Sequence, residues 1–516
     1  MVEKIFFKKP VVPALCAGVT ASVVFYLFYG LHIPPVFSLL GAVGTAFAAF
    51  LIKQKRVRRF LIFSAVGWAT ACTATMRLAE FVKSPETLLP LSDAASVTVE
   101  LTGEPKPASK YYVLDCVLHA VQDKAGNYFS ARGNAKLFFP KAVIDQNLAG
   151  GISLVKSKRA FPLDSGTAPC TIFASGAVIN ARAKFSASEN GVDCFFAEND
   201  VPAFIRWRSP LSRFRGSLRF RLMRLLFSWG AAGALLSALI SADKNFLAPA
   251  VSASFIECGL AHVLALSGMH VSIVGGTGEK LFKPLAGKKL TSFISLALIG
   301  AFVWFAGAAP SLNRALGMSA ILIAGKLLGV QASVPSTLCG MFLLHLLLKP
   351  QEAVTLGFML SYGALAGILL FGEALTALGE GKIPHAILSP FTASFGAQAF
   401  TMPIVALTIG RITLIGLLSS SLVSPLIAVF LVFGLFSVFA AALFSPLAPL
   451  LGALLNLVYR GIMGIVDALS GLLCFQVSGI FTAVLYTIVP IALGLFCLYA
   501  QNKILQRRMQ LGTFNI

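Results

Sequence analysis

An arginine-rich segment is the part of this sequence with the clearest capacity for chemistry. Seven arginines and no acidic residue lie between positions 206 and 224, and aromatic residues interleave with them. A guanidinium group donates two parallel hydrogen bonds to a phosphate, and aromatic rings stack on unpaired bases. We therefore predict contact with a polyanion, and the alternative is an interfacial helix on anionic lipid headgroups. The residues proposed for this contact are Arg206, Trp207, Arg208, Arg213, Phe214, Arg215, Arg219, Arg221 and Arg224.

A second group of polar side chains lies in an apolar stretch: Glu257, His262, Ser267, Gly268 and His270. Ionisable groups are costly inside a membrane and tend to face a cavity, so we predict pore lining or structural hydrogen bonds. The eight-residue spacing of the two histidines places them roughly on one helical face, provided that the helix continues through Gly268. No third ligand stands at a suitable spacing, so we predict no metal site. A serine–histidine nucleophile pair is the remaining alternative, but the spacing names no acidic partner, and we predict no catalytic residue.

Further polar or helix-breaking residues interrupt later apolar runs. Asn313 and Arg314 follow a break at a proline, and Arg314 is interpreted either as an interface anchor or as part of a site. Gly357 and Ser361 put small groups inside a span, which permits close helix packing. Pro403 sits in mid-span and is expected to kink its helix.

The composition is that of a membrane protein. The chain has 516 residues, of which 57% are hydrophobic and only 12% are charged. Soluble globular chains contain about 25% charged residues, so a soluble enzyme is excluded. Long charge-free runs, such as 10–52, predict about 12 spans, because about 20 apolar residues cross a bilayer. The net charge of +21 is larger than orientation in a membrane requires and indicates an anionic partner.

The distribution of charge divides the chain. Charged residues are dense between 83 and 224, where residues 96–103 alternate with the period of a half-buried strand. The predicted fold class is a multi-pass α-helical membrane protein with an inserted small all-β, OB-like domain. The predicted divisions are 1–82 with three spans, 83–205 as the β domain, 206–224 as an arginine-rich connector or interfacial helix, 225–502 as the main membrane domain and 503–516 as a tail.

Basic loops predict the orientation. The lysines and arginines between positions 53 and 59 lie between the second and third spans and favour the cytoplasm. Both termini are then cytoplasmic, and residues 83–224 are extracytoplasmic. Four lysines between 280 and 289 also favour the cytoplasm, so only one of the segments 225–242 and 258–278 crosses completely. The other is expected to be re-entrant, which a membrane tolerates only inside protein or beside a water-filled cavity.

Residues 255–271, FIECGLAHVLALSGMHV, resemble the GLxHLLAISGLHV signature of ComEC-type competence proteins, with methionine at position 269 in place of the usual leucine. Residues 313–318, 356–361 and 401–404 resemble later segments of this family in the same order. In the stretch 417–425, serines at 419–421 stand near the usual asparagine. The resemblance covers about residues 225–500.

The family resemblance implies a function and partners. ComEC-type proteins are channels for DNA uptake in the bacterial inner membrane. The resemblance therefore implies that single-stranded DNA contacts the arginines and moves along residues 262–270. It also implies membrane lipid contact and a separate cytoplasmic motor, DNA receptor and nuclease, and it leaves homo-oligomerisation open. Many members carry a metallo-β-lactamase-like domain with a His-x-His-x-Asp-His cluster, and the six histidines here are not so spaced. We predict a channel without its own nuclease, with no enzymatic activity and no cofactor; the alternative is a secondary carrier for a small anionic solute.

Overall fold

A computed structural model describes most of the chain in segments. These are 11–31, 33–81, 85–107, 111–140, 173–186, 193–198, 202–244, 246–307, 309–330, 332–372, 383–408, 410–413, 415–472 and 474–476, with isolated positions elsewhere. The predicted tail at 503–516 lies outside them.

Helices dominate the described residues. They are α1 Val11–Gly30, α2 Pro35–Leu51, α3 Lys55–Phe81, α4 Pro210–Ser228, α5 Gly230–Ser241, α6 Pro249–Glu257, α7 Gly268–Ala306, α8 Pro310–Leu327, α9 Val334–Leu348, α10 Pro350–Ala353, α11 Leu356–Gly367, α12 His385–Thr408, α13 Gly416–Leu443 and α14 Ala448–Leu469. Many begin with proline at the first or second helical position, where no intrahelical N–H bond is lost.

Five of these helices are long and apolar enough to cross a membrane, over Val57–Phe81, Lys289–Ala306, Leu388–Thr408, Gly416–Leu443 and Ser445–Leu469. Shorter apolar helices occupy Ala14–Gly30, Pro35–Leu51, Gly230–Ser241, Val334–Leu348 and Leu356–Gly372. The membrane-protein class is thus confirmed, and the count of about 12 spans stays a prediction.

The described part of the β domain contains eight strands. They are β1 Glu86–Thr87, β2 Ser96–Leu101, β3 Lys106–Pro107, β4 Tyr111–Gln122, β5 Tyr128–Pro140, β6 Ala177–Ser186, β7 Cys194–Ala197 and β8 Ala203–Trp207. Successive pairings of β5, β7, β6, β2 and β4 return to β5 and close a five-stranded ring, in which only the β5–β7 pair is parallel. Inward-facing side chains at alternate positions, such as Val97, Val99 and Leu101, fill its core.

The last strand extends past the boundary predicted at residue 205. β8 pairs with β6 through Arg206 and Trp207, so these two residues belong to the sheet rather than to a connector. The side chain of Ser209 then accepts a hydrogen bond from the Ser212 amide and starts α4.

The helical region contains two buried clusters of apolar side chains. One is formed by α5, α6, α7, α13 and α14, and the other by α1, α3, α9 and α11. Helix α8 belongs to both, because Leu312 near its start lies in the first and Met318 in the second. Residues near the start of α8 are therefore placed between the two halves of the helical region.

Helices are interrupted where the re-entrant segment is predicted. Helix α5 has 12 residues, a length of about 18 Å, and ten of them are buried. Helix α6 has nine residues and ends before an irregular stretch at 258–267. Two helices this short do not traverse a hydrocarbon core of about 30 Å. Part of the irregular stretch is buried in the helical core, at Leu260, Val263 and Leu264, and irregular backbone in a membrane requires such cover or a water-filled cavity.

Candidate functional site

Gly259 creates the break between α6 and α7. Its φ of 71° lies in the left-handed region, and a Cβ there would lie 2.5 Å from Oγ1 of Thr413 and 2.9 Å from the Cα of Gly416. Its carbonyl oxygen accepts a hydrogen bond from Nδ1 of His262, 3.1 Å away. Glycine is therefore required both by the turn and by the approach of α13.

The irregular stretch has one buried side and one open side. Leu260, Val263 and Leu264 are fully buried in the core of the helical region. Ala261 and His262 are exposed. His262 is thus accessible within the stretch that resembles the family signature.

Ser267 and His270 form a local contact at the start of α7. Nδ1 of His270 accepts the Ser267 amide at 3.2 Å and lies 3.2 Å from the Ser267 hydroxyl. The Nε2 atom is buried and has no hydrogen-bond partner among the described residues. Helix α7 begins only at Gly268, and residues 258–267 are not helical, so the condition for His262 and His270 to share a helical face is not met.

Arg314 is buried, with only 8% of its surface exposed. Its Nε donates to Oγ of Ser361 at 3.0 Å, its Nη1 lies 3.7 Å from the sulfur of Met318, and its guanidinium carbon lies 5.7 Å from the ring centre of Tyr362. Nearby, the hydroxyl of Ser311 donates to the carbonyl of residue 266. The interpretation of Arg314 as an exposed interface anchor is therefore wrong, because α8 packs between the two clusters of helices.

A polar network beside Arg314 centres on Glu352. Its carboxylate lies 2.7 Å from Nε2 of His345 and 2.8 Å from Nζ of Lys349, and it accepts from the amide of Asn313 at 3.3 and 3.4 Å. The other nitrogen of His345 lies 3.3 Å from the hydroxyl of Tyr362. The predicted residue Asn313 thus joins a network that the sequence reasoning missed.

One sequence signal could have revealed this network. Glu352 is the only acidic residue between positions 280 and 372, a stretch that is otherwise largely apolar. An isolated ionisable residue in such a stretch is expected to have a partner or a function. Its partners could not be named from spacing, because Asn313 and Tyr362 belong to other helices.

The predicted arginine cluster separates into exposed and internal members. Arg206, Arg213 and Arg221 are exposed. Arg208 is also exposed and lies 3.1 Å from a carboxylate oxygen of Glu100. Arg224 is half-buried.

The aromatic residues of the cluster are used in packing. Trp207, the last residue of β8, is half-buried against α4, where a Cβ on Gly216 would approach its ring to 3.0 Å. Phe214 is exposed, but it stacks on Trp304 with ring centres 6.2 Å apart. Trp207 is therefore not placed to stack on a base without moving.

Arg215 and Arg219 hold the β domain against the membrane helices. Glu104, between β2 and β3, lies 3.1 Å from Nη2 of Arg215 and 3.7 Å from Nε of Arg219. Arg219 also donates to the carbonyls of the last two residues of α7, both at 3.0 Å, and to the carbonyl of Ser241 at 3.1 Å. A cation at a helix C-terminus complements the helix dipole. Burial lowers the pKa of Arg215, and Glu104 opposes this effect.

These contacts assign the two arginines an internal role, and DNA contact by them is not favoured. Arg219→Ala is expected to lower the melting temperature of the purified protein, because three helix-end carbonyls lose this donor and Glu104 keeps only Arg215 as its cation among the described residues. A buried polar group left without a partner costs about 1–3 kcal/mol. Arg213→Ala, an exposed position on the same helix, is the matched control in a circular-dichroism melt. Equal melting temperatures for the two variants would contradict this role.

The remaining predicted residues lie apart from the Arg314 network. Glu257 accepts a hydrogen bond from the Ser470 hydroxyl at the end of α6. A Cβ on Gly357 would meet nothing within 4 Å, so the predicted close packing is not there; it occurs where Gly367 meets Gly396. Pro403 lies inside α12, which continues to residue 408. Among the described residues, no three His, Cys, Asp or Glu side chains are grouped as metal ligands, and the absence of a metal stays a prediction.

A family model described as "Competence protein" matches residues 239–503, somewhat more than half of the chain. The match includes the irregular stretch 258–267, Arg314 and the Glu352 network, and it excludes the β domain.

Two relatives are similar over parts of the chain. ComE operon protein 3 of Bacillus subtilis (strain 168) is 26% identical over 196 residues, which are 37% of this chain and 24% of that protein. An uncharacterized protein of Aquifex aeolicus (strain VF5) is 27% identical over 228 residues, 44% of this chain and 52% of that protein. The chain therefore spans about a quarter and about half of the lengths of these relatives. No solved structure matches.

Proposed function

Since the chain belongs to the Competence protein family, we propose that it is an inner-membrane channel through which single-stranded DNA enters a bacterium during natural transformation. The family match over residues 239–503 is the observation that carries this proposal. The buried cation Arg314, within the matched region, supports it.

Arginine side chains lie along the elements that connect the β domain with the region matched by the family model. Exposed arginines lie on β8 and α4, and Arg219 joins α4 to the end of α7. Helix α8 begins four residues after α7 ends, and Arg314 is about one helical turn inside it. Cationic surfaces raise the local concentration of a polyanion. This arrangement of arginines therefore supports capture of DNA at the β domain and α4, followed by its entry into the membrane domain.

We propose an OB-like barrel for the β domain. The ring order β2, β4, β5, β7 and β6, with one parallel pair, is that of a small closed five-stranded barrel. Barrels of the OB type bind oligonucleotides on one face. In this proposal the domain lies outside the cytoplasm, both termini lie inside, and about 12 spans surround the path.

Other proteins supply the remaining steps. A separate cytoplasmic motor, a DNA receptor and a nuclease are proposed partners, and the chain itself is proposed to be neither an enzyme nor dependent on a cofactor. The Ser267–His270 contact is assigned to the start of α7, since the free imidazole nitrogen meets no carboxylate among the described residues. Retained uptake by Ser267→Ala is expected.

The proposal is tested by deleting the gene in its transformable host and measuring uptake of labelled DNA. Loss of uptake, and its return on expression of this chain, is the expected result. Unchanged uptake would remove the proposal. Saturable flux of a small anion into liposomes containing the purified chain would then favour the secondary carrier, whose site would also use Arg314.

The exposed arginines are expected to dominate DNA capture. Replacing Arg206, Arg213 and Arg221 by alanine should weaken binding of a single-stranded oligonucleotide at low salt. It should also reduce the slope of log affinity against log salt by about 2, since each phosphate contact contributes about 0.7. Fluorescence anisotropy with the full chain in nanodiscs measures both.

The control variant removes the same charge elsewhere on the exposed β domain, at Lys124, Arg182 and Lys184. Its affinity is expected to fall much less. An equal loss in the two variants would show that net charge, rather than this surface, attracts DNA.

A further inference from the structure

The charge of Arg314 has no counterion in the described part of the molecule. None of the ion pairs there includes this residue, although 92% of its surface is buried. Ser361, Met318 and Tyr362 offer dipoles, polarisable sulfur and a ring face, but no negative charge. A buried charge is costly unless it is paired, and inside a membrane protein such a group usually meets a partner or a substrate path.

The guanidinium group faces the N-terminus of a long helix. Its Nη2 lies 3.3 Å from the position that a Cβ of Gly268 would take, so the absence of a side chain at residue 268 lets the guanidinium group approach the first turn of α7 closely. The amides of Ser267 and His270 have local acceptors, and the other N–H groups of the first turn lack intrahelical acceptors and contribute to a positive partial charge. Two positive groups therefore lie close together, and an anion bound beside them would offset their repulsion.

We propose that Arg314 and the N-terminus of α7 bind a phosphate group, and that the ligand is a phosphodiester of the DNA strand in transit. A guanidinium group and helix N–H groups are complementary to phosphate oxygens. This inference rests on the proposed function. It adds a specific contact inside the membrane domain to the surface capture by arginines of β8 and α4.

The test compares Arg314→Gln and Gly268→Ala with Gly276→Ala in the full chain. Gln removes the charge, and the Cβ of Ala enters the space beside Nη2. A Cβ on Gly276, in the same helix, would meet nothing within 4 Å, so this variant is the matched control. The α7 start has no positive φ, so Ala at residue 268 leaves the backbone unstrained and carries the test even if Arg314→Gln fails to fold.

Binding of a single-stranded oligonucleotide is measured by anisotropy in nanodiscs of zwitterionic lipid, together with transformation frequency. Both site variants are expected to lose at least fivefold in affinity, about 0.7 in the salt slope and at least tenfold in transformation. The control is expected to match the wild type in all three. Folded site variants that match the wild type would overturn the proposal.

A second arm distinguishes DNA from lipid as the source of the phosphate. Phosphatidylglycerol added to the nanodiscs should weaken DNA binding equally in the wild type and in Gly268→Ala. If the lipid weakens binding only in the wild type, a headgroup occupies the site and the DNA assignment is overturned. Failure of the wild-type chain to restore uptake at all would instead overturn the proposed function.

Discussion

Replacing Gly259 with alanine is expected to reduce DNA uptake at least 100-fold. The left-handed backbone costs a non-glycine residue about 1–2 kcal/mol. In addition, the new Cβ would collide with Thr413 and with the backbone of Gly416, so the irregular stretch 258–267 or the start of α13 must move. That movement would displace His262, whose ring hydrogen-bonds the carbonyl of residue 259. Transformation frequency measures the functional loss, and a thermal melt measures the loss of stability.

Gly276→Ala is the control for this prediction as well. It introduces the same methyl group on the neighbouring helix α7, where it meets open space. Uptake and melting temperature are expected to match the wild type. If Gly259→Ala also behaved like the wild type, the irregular stretch 258–267 would not depend on the left-handed turn at Gly259.

Glu352→Ala is expected to cause the largest loss of stability among single charge removals. The carboxylate is only 15% exposed and is shared by His345, Lys349 and Asn313. Its removal leaves the buried His345 and the half-buried Asn313 without this acceptor, and each buried polar group left unsatisfied costs about 1–3 kcal/mol. The melting temperature of the purified protein should fall markedly, and Tyr362, which contacts His345, should become more accessible to quenchers of tyrosine fluorescence.

The control is Glu279→Ala, which removes an exposed carboxylate on α7. It is expected to melt like the wild type. Glu352→Gln, which keeps one acceptor oxygen, is expected to lie between the two alanine variants. A melting temperature for Glu352→Ala equal to that of Glu279→Ala would show that the network does not stabilise the fold.

Local pattern was sufficient for the main elements. The alternation at 96–103 predicts a strand, and one lies at Ser96–Leu101. The resemblance of residues 255–271 to competence proteins is confirmed by the family match over 239–503. Predictions that depended on the path of the chain fared differently. His262 and His270 do not share a helical face, because residues 258–267 are not helical, and the turn at Gly259 near the start of this stretch depends on the approach of α13.

The sequence by itself determined that this protein belongs in a membrane, that it carries a charged β domain and that it belongs to its family. These features depend on composition and on order along the chain. Only the tertiary structure decided that Arg219 anchors the β domain, that Arg206 remains exposed and that Arg314 is buried without a counterion among the described residues. Burial and pairing depend on distant segments: Arg314 meets Ser361, 47 residues further on, and Arg219 meets a carbonyl 86 residues away. No local pattern records such partners, because they are selected by the packing of whole helices.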